Sequence, residues 1–199
     1  MRRGGDGRRR RVAAGWLAGL VASSLLLGGC GLLGKPKALV ADAPLTISVT
    51  SPVFNGRVIP AQFTCSGGQH AVSPPIYWSA PPSGTKSLAL VVDDAATPIS
   101  PRVYWIVFDI DPASTDLQAG TLPPHARVAD NSSGKADYEA PCPHGSVHDY
   151  RFTVYALNAS IGSSLPANPG LLQTLAAIAP HVTARGTLTA RAQPAPTSH

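Results

Sequence analysis

Several features that mark common classes of protein are missing from this sequence. The folded part has no excess of basic residues: the six arginines and Asp6 among the first eleven residues account for the whole formal charge of +5, and 10 basic and 10 acidic residues remain beyond them. Nucleic-acid binding needs a basic surface, so we expect no nucleic-acid partner. The part of the sequence after the predicted signal and tether also has no internal repeat, no Gly-x-Ser-x-Gly elbow and no glycine-rich phosphate loop. The absence of the last two motifs argues against catalysis by them.

A hydrophobic run long enough for a comfortable membrane span is also missing. The apolar stretch from Val12 to Leu27 is short and rich in small residues, and clustered arginines precede it, which predicts a secretion signal over residues 1–29. The stretch ends in Leu27-Gly28-Gly29-Cys30, which looks like a bacterial lipobox. Cys30 is therefore predicted to carry a diacylglyceryl group and palmitate. An ordinary cleaved signal or an uncleaved anchor is the alternative.

Residues 30–44 are small and carry Lys35, Pro36 and Lys37, a composition that favours a flexible tether. The protein is thus expected at the cell membrane, held by lipid on the extracytoplasmic face.

Cysteine is scarce, with 3 residues in the chain. If Cys30 is lipidated, Cys65 and Cys142 remain as a pair in an oxidising compartment, which favours a disulfide bond. Such a bond would stabilise the fold by about 4 kcal/mol in the chain-entropy interpretation. Two buried thiols remain the alternative, because only the Cα separation decides.

Long helical patterns are few, and alternating apolar segments predict most of the regular structure. The predicted strands lie at 45–50, 87–93, 103–110, 151–156 and 186–191. One helix is predicted with Asn168 as N-cap and Pro169 at its first position, ending before Pro180. We expect a single domain over residues 45–191 and a disordered tail over residues 192–199.

A proline-rich loop precedes the predicted strand at 151–156. Pro141 and Pro143 each restrict φ, and Gly145 permits φ values that other residues avoid. The sequence itself therefore largely fixes the shape of the loop, which we expect to be stiff. It carries His144, and His148 and Tyr150 follow. Stiff loops of this kind commonly display binding groups, although many merely turn a corner.

Taken together, these segments resemble the phosphatidylethanolamine-binding proteins, particularly the bacterial branch called Raf kinase inhibitor-like. The likeness covers residues 45–191. Its markers are Pro141-Cys142-Pro143 with Gly145, His148 and Tyr150; Phe63-Thr64-Cys65-Ser66-Gly67; Ser73-Pro74-Pro75 leading to Trp78; Lys86 to Leu90; Trp105-Ile106-Val107; the strand from Phe152 to Leu157; and His181.

The resemblance implies a mainly β fold, with a large antiparallel sheet, a smaller second sheet and a few short helices. It also implies a shallow pocket for small anions, phosphorylated groups or phospholipid headgroups. In the family, this pocket uses an Asp-Pro-Asp-Ala-Pro block, a strand histidine, the proline loop and a His-Arg-Tyr run. The candidate ligand-binding residues are therefore Asp94, Tyr104, Pro141, Pro143, His144, His148 and Tyr150.

The chain departs from that pattern at several positions. Asp94 and Pro98 match the block, but residues 95–97 differ from it. Tyr104 stands where the strand histidine is expected, His144 takes the place of a loop proline, and Asp149 replaces the arginine. Because the second aspartate and the histidine are both absent, we expect a remodelled pocket that binds anions weakly at neutral pH. Binding should strengthen as pH falls toward the usual imidazole pKa of ~6.5.

The expected function is ligand binding without turnover, with no cofactor and no metal. The partner is a small anionic or lipidic ligand, or an envelope protein. Two alternatives remain open: an inhibitor or scaffold of an envelope protein, and a hydrolase that uses Asp94 and His148. A zinc site at His144 and His148 lacks the helical spacing that would identify one. Asp94 could instead cap a turn, and Tyr104 could be a core aromatic.

Overall fold

The structure is a computed structural model that describes residues 43–54, 57–95 and 101–194. The predicted signal segment, Cys30, most of the tether, Pro98 and residues 195–199 lie outside the described residues.

Strands dominate the described part of the chain, as the sequence predicts. In chain order they are β1 (Val49–Thr50), β2 (Ile76–Trp78), β3 (Ser87–Asp94), β4 (Val103–Ile110), β5 (Asp116–Leu117), β6 (Arg127–Ala129), β7 (His148–Leu157) and β8 (Val182–Ala192). One α-helix, α1 (Leu171–Ile178), lies between β7 and β8. Short 3-10 turns occur at Ala61–Phe63, Cys65–His70, Gly162–Ser164 and Ala179–His181. No described helix is long and apolar enough to cross a membrane.

The strands form two antiparallel sheets. The larger sheet has the order β6-β4-β3-β7-β8, and the smaller has the order β1-β2-β5. This arrangement confirms the predicted fold class. The predicted strands at 87–93 and 103–110 match β3 and β4, whereas β7 and β8 are longer than predicted because they pair with each other over ten positions.

The core occupies both faces of the larger sheet. Strand β3 is buried at every position, as its continuous apolar run from Leu88 to Val92 predicts for a central strand. On one face Leu90 and Val92 pack in a cluster with Trp78 of the smaller sheet. On the other face Ala89 and Val91 pack in a cluster that includes α1. The larger sheet is therefore the middle layer.

Two sequence predictions about element ends are wrong in detail. The strand predicted over 45–50 is reduced to β1, and Leu45 makes only an isolated bridge to Arg185 of β8. Leu45 is 66% exposed. The helix begins after Gly170, which caps it without a side-chain hydrogen bond. Asn168 is therefore not the N-cap.

Residues 43–47 lie along β8. Arg185 donates its backbone N–H to the carbonyl of Pro44 (2.9 Å) and accepts from the amides of Thr46 and Ile47 (3.1 and 3.2 Å). A Cβ at Gly186 would lie 2.0 Å from the carbonyl oxygen of Ile47, so the close approach requires glycine there. The end of the predicted tether and the first residues of the domain are thus fixed to the edge of the larger sheet.

Candidate functional site

Three neighbouring central strands bring the candidate residues together, because β3 ends where β4 and β7 begin. We call this end of the strands the strand edge of the larger sheet. Asp94 is the last residue of β3, and the β3–β7 register pairs it with Tyr150. The amide of Asp94 also donates to the carbonyl of Arg102, 2.9 Å away, just before β4. Tyr104 near the start of β4 and His148 at the start of β7 lie at the same edge as a result.

A cavity of about 420 Å³ lies at this edge. We call it the strand-edge cavity. It is lined by Asp94, Arg102, Tyr104, Glu139, Ala140, Cys142, Pro143, His144, His148 and Tyr150. Six of the seven candidate ligand-binding residues thus meet in one space. Pro141 does not line it, and neither does the exposed Asp149.

Asp94 and His148 form the polar pair of the strand-edge cavity. Nδ1 of His148 lies 2.9 Å from Oδ2 of Asp94. The Asp94 side chain is 4% exposed and that of His148 is 27% exposed. The carboxylate therefore orients the imidazole, and a proton on Nδ1 leaves the second ring nitrogen of the neutral form as an acceptor. Protonation would convert that second nitrogen into a donor.

Two tyrosines form the inner wall. The rings of Tyr104 and Tyr150 meet edge to face, with centroids 5.2 Å apart. Burial raises the pKa of both phenols above the ordinary value, so both remain neutral hydrogen-bond donors at physiological pH.

The hydroxyl of Tyr150 is the exceptional group of this wall. Tyr150 is 0% exposed. Its hydroxyl forms no hydrogen bond of normal geometry among the described residues, and its nearest polar neighbour is the hydroxyl of Tyr104, toward which it makes a weak, long hydrogen bond that helps to raise its pKa. Leaving a buried polar group unsatisfied costs roughly 1 to 3 kcal/mol. The wall of the cavity thus contains a weakly bonded donor that a ligand oxygen can reach only if the side chains covering it move.

The proline loop forms another wall and is fixed by covalent and backbone contacts. Cys65 and Cys142 form a disulfide bond with a Cα separation of 5.1 Å. The amide of Cys65 also donates to the carbonyl of Pro141 (3.0 Å), so Pro141 anchors the loop from outside the cavity. Gly145 has a φ of 75°, a conformation that glycine adopts without strain.

Sequence reasoning missed two charged residues of the cavity. Arg102 and Glu139 form an ion pair at 2.5 Å, and Ser133 contacts both side chains. The guanidinium of Arg102 also lies 5.5 Å from the centre of the Tyr104 ring. One signal was available: Arg102 is two residues before Tyr104, a spacing that places both on one face of an extended segment. No comparable signal marks Glu139, whose backbone N–H donates a hydrogen bond to the carbonyl of Tyr104 (2.9 Å).

The charges of the cavity are mixed. Asp94 and Glu139 oppose the single guanidinium of Arg102, with His144 and His148 as groups that can gain charge. The described lining contains no serine, threonine or lysine, and Cys142 is in a disulfide. Nor do the described residues contain a group of three or more His, Cys, Asp or Glu side chains arranged to hold a metal ion. The arrangement is suited to hydrogen bonding of a ligand.

Two antiparallel sheets, with a cavity that carries ionisable side chains at one strand edge, define the class of this domain. The sequence profile of the family described as "Phosphatidylethanolamine-binding protein" matches residues 49–193. The chain belongs to that family, which confirms the resemblance drawn from the motifs.

Relatives in other organisms agree with this assignment. A Mycobacterium tuberculosis protein named "Putative lipoprotein LppC" is 39% identical over 191 residues, which cover 86% of this chain and 90% of that protein. Among solved structures, Escherichia coli YbcL, titled a new member of the mammalian PEBP family, has a TM-score of 0.64 at 27% identity, covering 74% of this chain and 98% of its own. The homologue CT736 from Chlamydia trachomatis has a TM-score of 0.63 at 30% identity, covering 77% and 99%.

Proposed function

We propose that this protein is an extracytoplasmic, lipid-anchored binding protein whose strand-edge cavity holds a phosphate or a phospholipid headgroup without converting it. The observation that carries this proposal is the buried hydroxyl of Tyr150, which lacks a normal hydrogen bond in a cavity that also presents His148 and Arg102. A ligand oxygen would supply the missing acceptor. The absence of a serine, threonine or lysine nucleophile from the described lining favours binding over hydrolysis.

The charges of the cavity set how an anion should bind. At neutral pH the carboxylates of Asp94 and Glu139 oppose an incoming phosphate, and Glu139 competes with it for Arg102. Histidine is the side chain that gains charge on mild acidification. Anion affinity should therefore be weak at neutral pH and increase as the solution becomes more acidic.

Calorimetric titration with inorganic phosphate at about pH 5.5 and about pH 7.5 tests this proposal. We expect tighter binding at the lower pH, and replacement of His148 by Gln should remove most of the difference. The matched control is His70→Gln, because His70 is an exposed histidine away from the cavity. Because phosphate itself becomes more negative between these two pH values, the comparison is made with the variant: a pH dependence that His148→Gln leaves unchanged, or tight binding that does not change with pH, would contradict the proposal.

Native mass spectrometry of the protein purified from envelope material separates the remaining alternatives. A retained phosphorylated or lipidic adduct that is absent from Tyr150→Phe would support small-molecule binding. An empty cavity together with a stoichiometric envelope protein would favour the inhibitor or scaffold function instead. Conversion of a supplied ester that depends on Asp94 and His148 would favour the hydrolase.

The lipid anchor is the second part of the proposal. It is supported by the lipobox-like sequence ending at Cys30 and by the name of the 39% identical relative from M. tuberculosis. More than one acyl chain is needed for stable anchoring. We expect Cys30→Ser to abolish incorporation of labelled palmitate and to move the protein out of the membrane fraction. Unchanged labelling of that variant would overturn the assignment of Cys30.

A further inference from the structure

A second cavity is lined by strands β4 and β6, the loop before β2, the loop after β5 and the segment 136–138. We call it the loop-side cavity, and it measures about 320 Å³. Its lining includes Ser73, Trp105, Asp137 and Tyr138, together with Val72 and Leu122. It shares no residue with the strand-edge cavity, and no function proposed above uses it.

The two loops of this cavity are bonded directly to each other. The amide of Gly120 donates to the carbonyl (3.0 Å) and to the hydroxyl (3.2 Å) of Ser73. Gly120 has a φ of 65°, a conformation that glycine adopts without strain. A Cβ at this position would also lie 3.3 Å from the side chain of Val72. The loops that line the cavity are therefore held in place by the fold itself.

The indole N–H of Trp105 is the first unusual group of the cavity. Trp105 is 3% exposed, and its ring lies edge to face with that of Tyr138, with centroids 5.5 Å apart. Its Nε1 nevertheless donates to no acceptor within the described part of the chain. Nor is this nitrogen sealed in the core, because the Tyr150 hydroxyl alone among the described residues is both fully enclosed and without a normal hydrogen bond. The N–H therefore borders open space, and the loop-side cavity is the space that Trp105 lines.

The hydroxyl of Ser73 is a second donor. Ser73 is 4% exposed, and its oxygen accepts from Gly120, whereas its own proton meets no acceptor among the residues that the structure describes. Asp137 supplies an acceptor: it is exposed, and its Oδ1 accepts from the amide of Tyr138 at 2.7 Å, which leaves Oδ2 for a ligand. The hydroxyl of Tyr138 is already used, since it donates to the carbonyl of Phe63 at 2.7 Å. Tyr138 therefore contributes its ring.

These groups define the chemistry of a ligand. The two enclosed donors require acceptor oxygens, which an ammonium group lacks. Asp137 is the only charged group of the described lining, so an anion would be repelled without a compensating cation. A hydroxyl group is neutral, can accept from the indole and can donate to the carboxylate. Val72 and Leu122, which are 41% and 46% exposed, add apolar contacts for the carbon atoms of such a ligand.

We propose that the loop-side cavity binds a neutral, hydroxylated ligand of the size of one sugar ring, with Trp105 and Ser73 as donors and Asp137 as acceptor. A volume of about 320 Å³ is near the lower end of the range of ligand pockets, roughly 300 to 1,000 Å³, which suits a single ring. The ring belongs either to a free sugar or to a residue exposed on a glycan.

The test follows the indole Nε1–H NMR signals of the full chain, held in nanodiscs of phosphatidylcholine, while glucose or N-acetylglucosamine is added. The signal of Trp105, identified by its loss in Trp105→Phe, should shift with an affinity on the order of 1 mM. The signal of Trp78 is the internal control and should not move, because its Nε1 donates to the carbonyl of Ser114 at 2.8 Å. Dextran distinguishes the two sources: a shift with glucose alone identifies a free sugar, and a shift with both identifies a glycan.

Matched variants test the assigned roles. Ser73→Ala and Asp137→Asn should each weaken sugar binding roughly fivefold, because each removes one hydrogen bond to the ligand. Asp149→Asn, the same charge change at an exposed position outside both cavities, should leave the affinity unchanged. Asp137 is exposed, so its variant should fold even if Ser73→Ala does not.

Three results would overturn the proposal. The first is a Trp105 signal that neither sugar shifts. The second is a shift of the same size with acetamide or methylammonium, which would assign the cavity to an amide or a cation. The third is a sugar affinity that Asp137→Asn leaves unchanged. Since the readout is on Trp105, each of these results leaves the strand-edge cavity untouched.

Discussion

At the scale of single residues, the most informative group is the hydroxyl of Tyr150. It is buried in a well-packed pair with Tyr104, yet it makes no normal hydrogen bond among the described residues. Proteins seldom bury a polar atom in this way, and functional sites are where such exceptions are found. The same residue is therefore expected to reduce stability in the empty protein and to add affinity in the liganded one.

Replacing Tyr150 by Phe tests both expectations. The free energy of unfolding should rise by up to about 1 kcal/mol because an unsatisfied polar group is removed, while phosphate affinity should fall. Urea unfolding and calorimetric titration measure the two effects. Tyr138→Phe is the matched control, since its buried hydroxyl donates to the carbonyl of Phe63 at 2.7 Å and its loss should cost about 1 kcal/mol. Equal destabilisation by both changes would show that Tyr150 is satisfied within the fold.

Asp93 allows a prediction about pH. Burial raises its pKa above the ordinary 3.8, and Arg151 offsets only part of the rise. A carboxyl whose folded-state pKa is raised contributes stability that is fully present below the ordinary value and is lost as pH rises through the folded value. Asp93→Asn removes that loss. The unfolding free energy of the variant relative to the wild type should therefore increase between about pH 4 and about pH 7.

Urea unfolding at a series of pH values measures this difference. Asp149→Asn, the same charge change at an exposed position of β7, provides the baseline. A relative stability that falls with rising pH would mean that the charge of Arg151, rather than burial, dominates the environment of Asp93.

At the scale of elements, the disulfide connects the turn beginning at Cys65 to the proline loop that forms one wall of the strand-edge cavity. The linked residues are 77 positions apart. The double change Cys65→Ser with Cys142→Ser should lower the free energy of unfolding by about 4 kcal/mol. It should also loosen His144 and Pro143, so phosphate binding weakens even where the protein remains folded.

Denaturant unfolding with and without a reducing agent measures the effect on the wild type, and the double variant should not respond to the reductant. Unchanged stability and unchanged phosphate affinity on reduction would show that neither the fold nor the cavity depends on the bond.

Elements with a strong periodic pattern were predictable, and elements fixed by distant contacts were not. The continuous apolar run of β3 and the uninterrupted segment of β4 specify buried strands by themselves. By contrast, β2, β5 and β6 have only two or three residues each, too few for any period to show. The backbone bridge of Leu45 to Arg185 likewise joins residues far apart in the sequence, so no local pattern predicts it.

The candidate site was predictable where a motif carried it. Asp94, Tyr104, His144, His148 and Tyr150 were found through their resemblance to a family pattern, and the register of β3 with β7 explains why they meet. Arg102 and Glu139 belong to no such pattern, and their ion pair exists only because β4 lies beside the loop. Pro141 belongs to the motif but does not line the cavity. Its carbonyl instead accepts a hydrogen bond from the amide of Cys65, which anchors the loop.

At the scale of the whole molecule, the larger sheet carries an acidic residue with a basic partner on each of its faces. Strands β3 and β7 supply both pairs: Asp94 with His148, and Asp93 with Arg151. The first pair lines the strand-edge cavity, in which carboxylates outnumber guanidiniums.

The most direct test of the central claim is an NMR titration of the protein with inorganic phosphate that follows the side-chain signals of Arg102, Tyr104, His148 and Tyr150 together. If the four residues form one binding cavity, these signals should all shift with the same affinity, and binding should be tighter at about pH 5.5 than at about pH 7.5. Signals that shift independently, or that do not respond while phosphate binds elsewhere, would contradict the account.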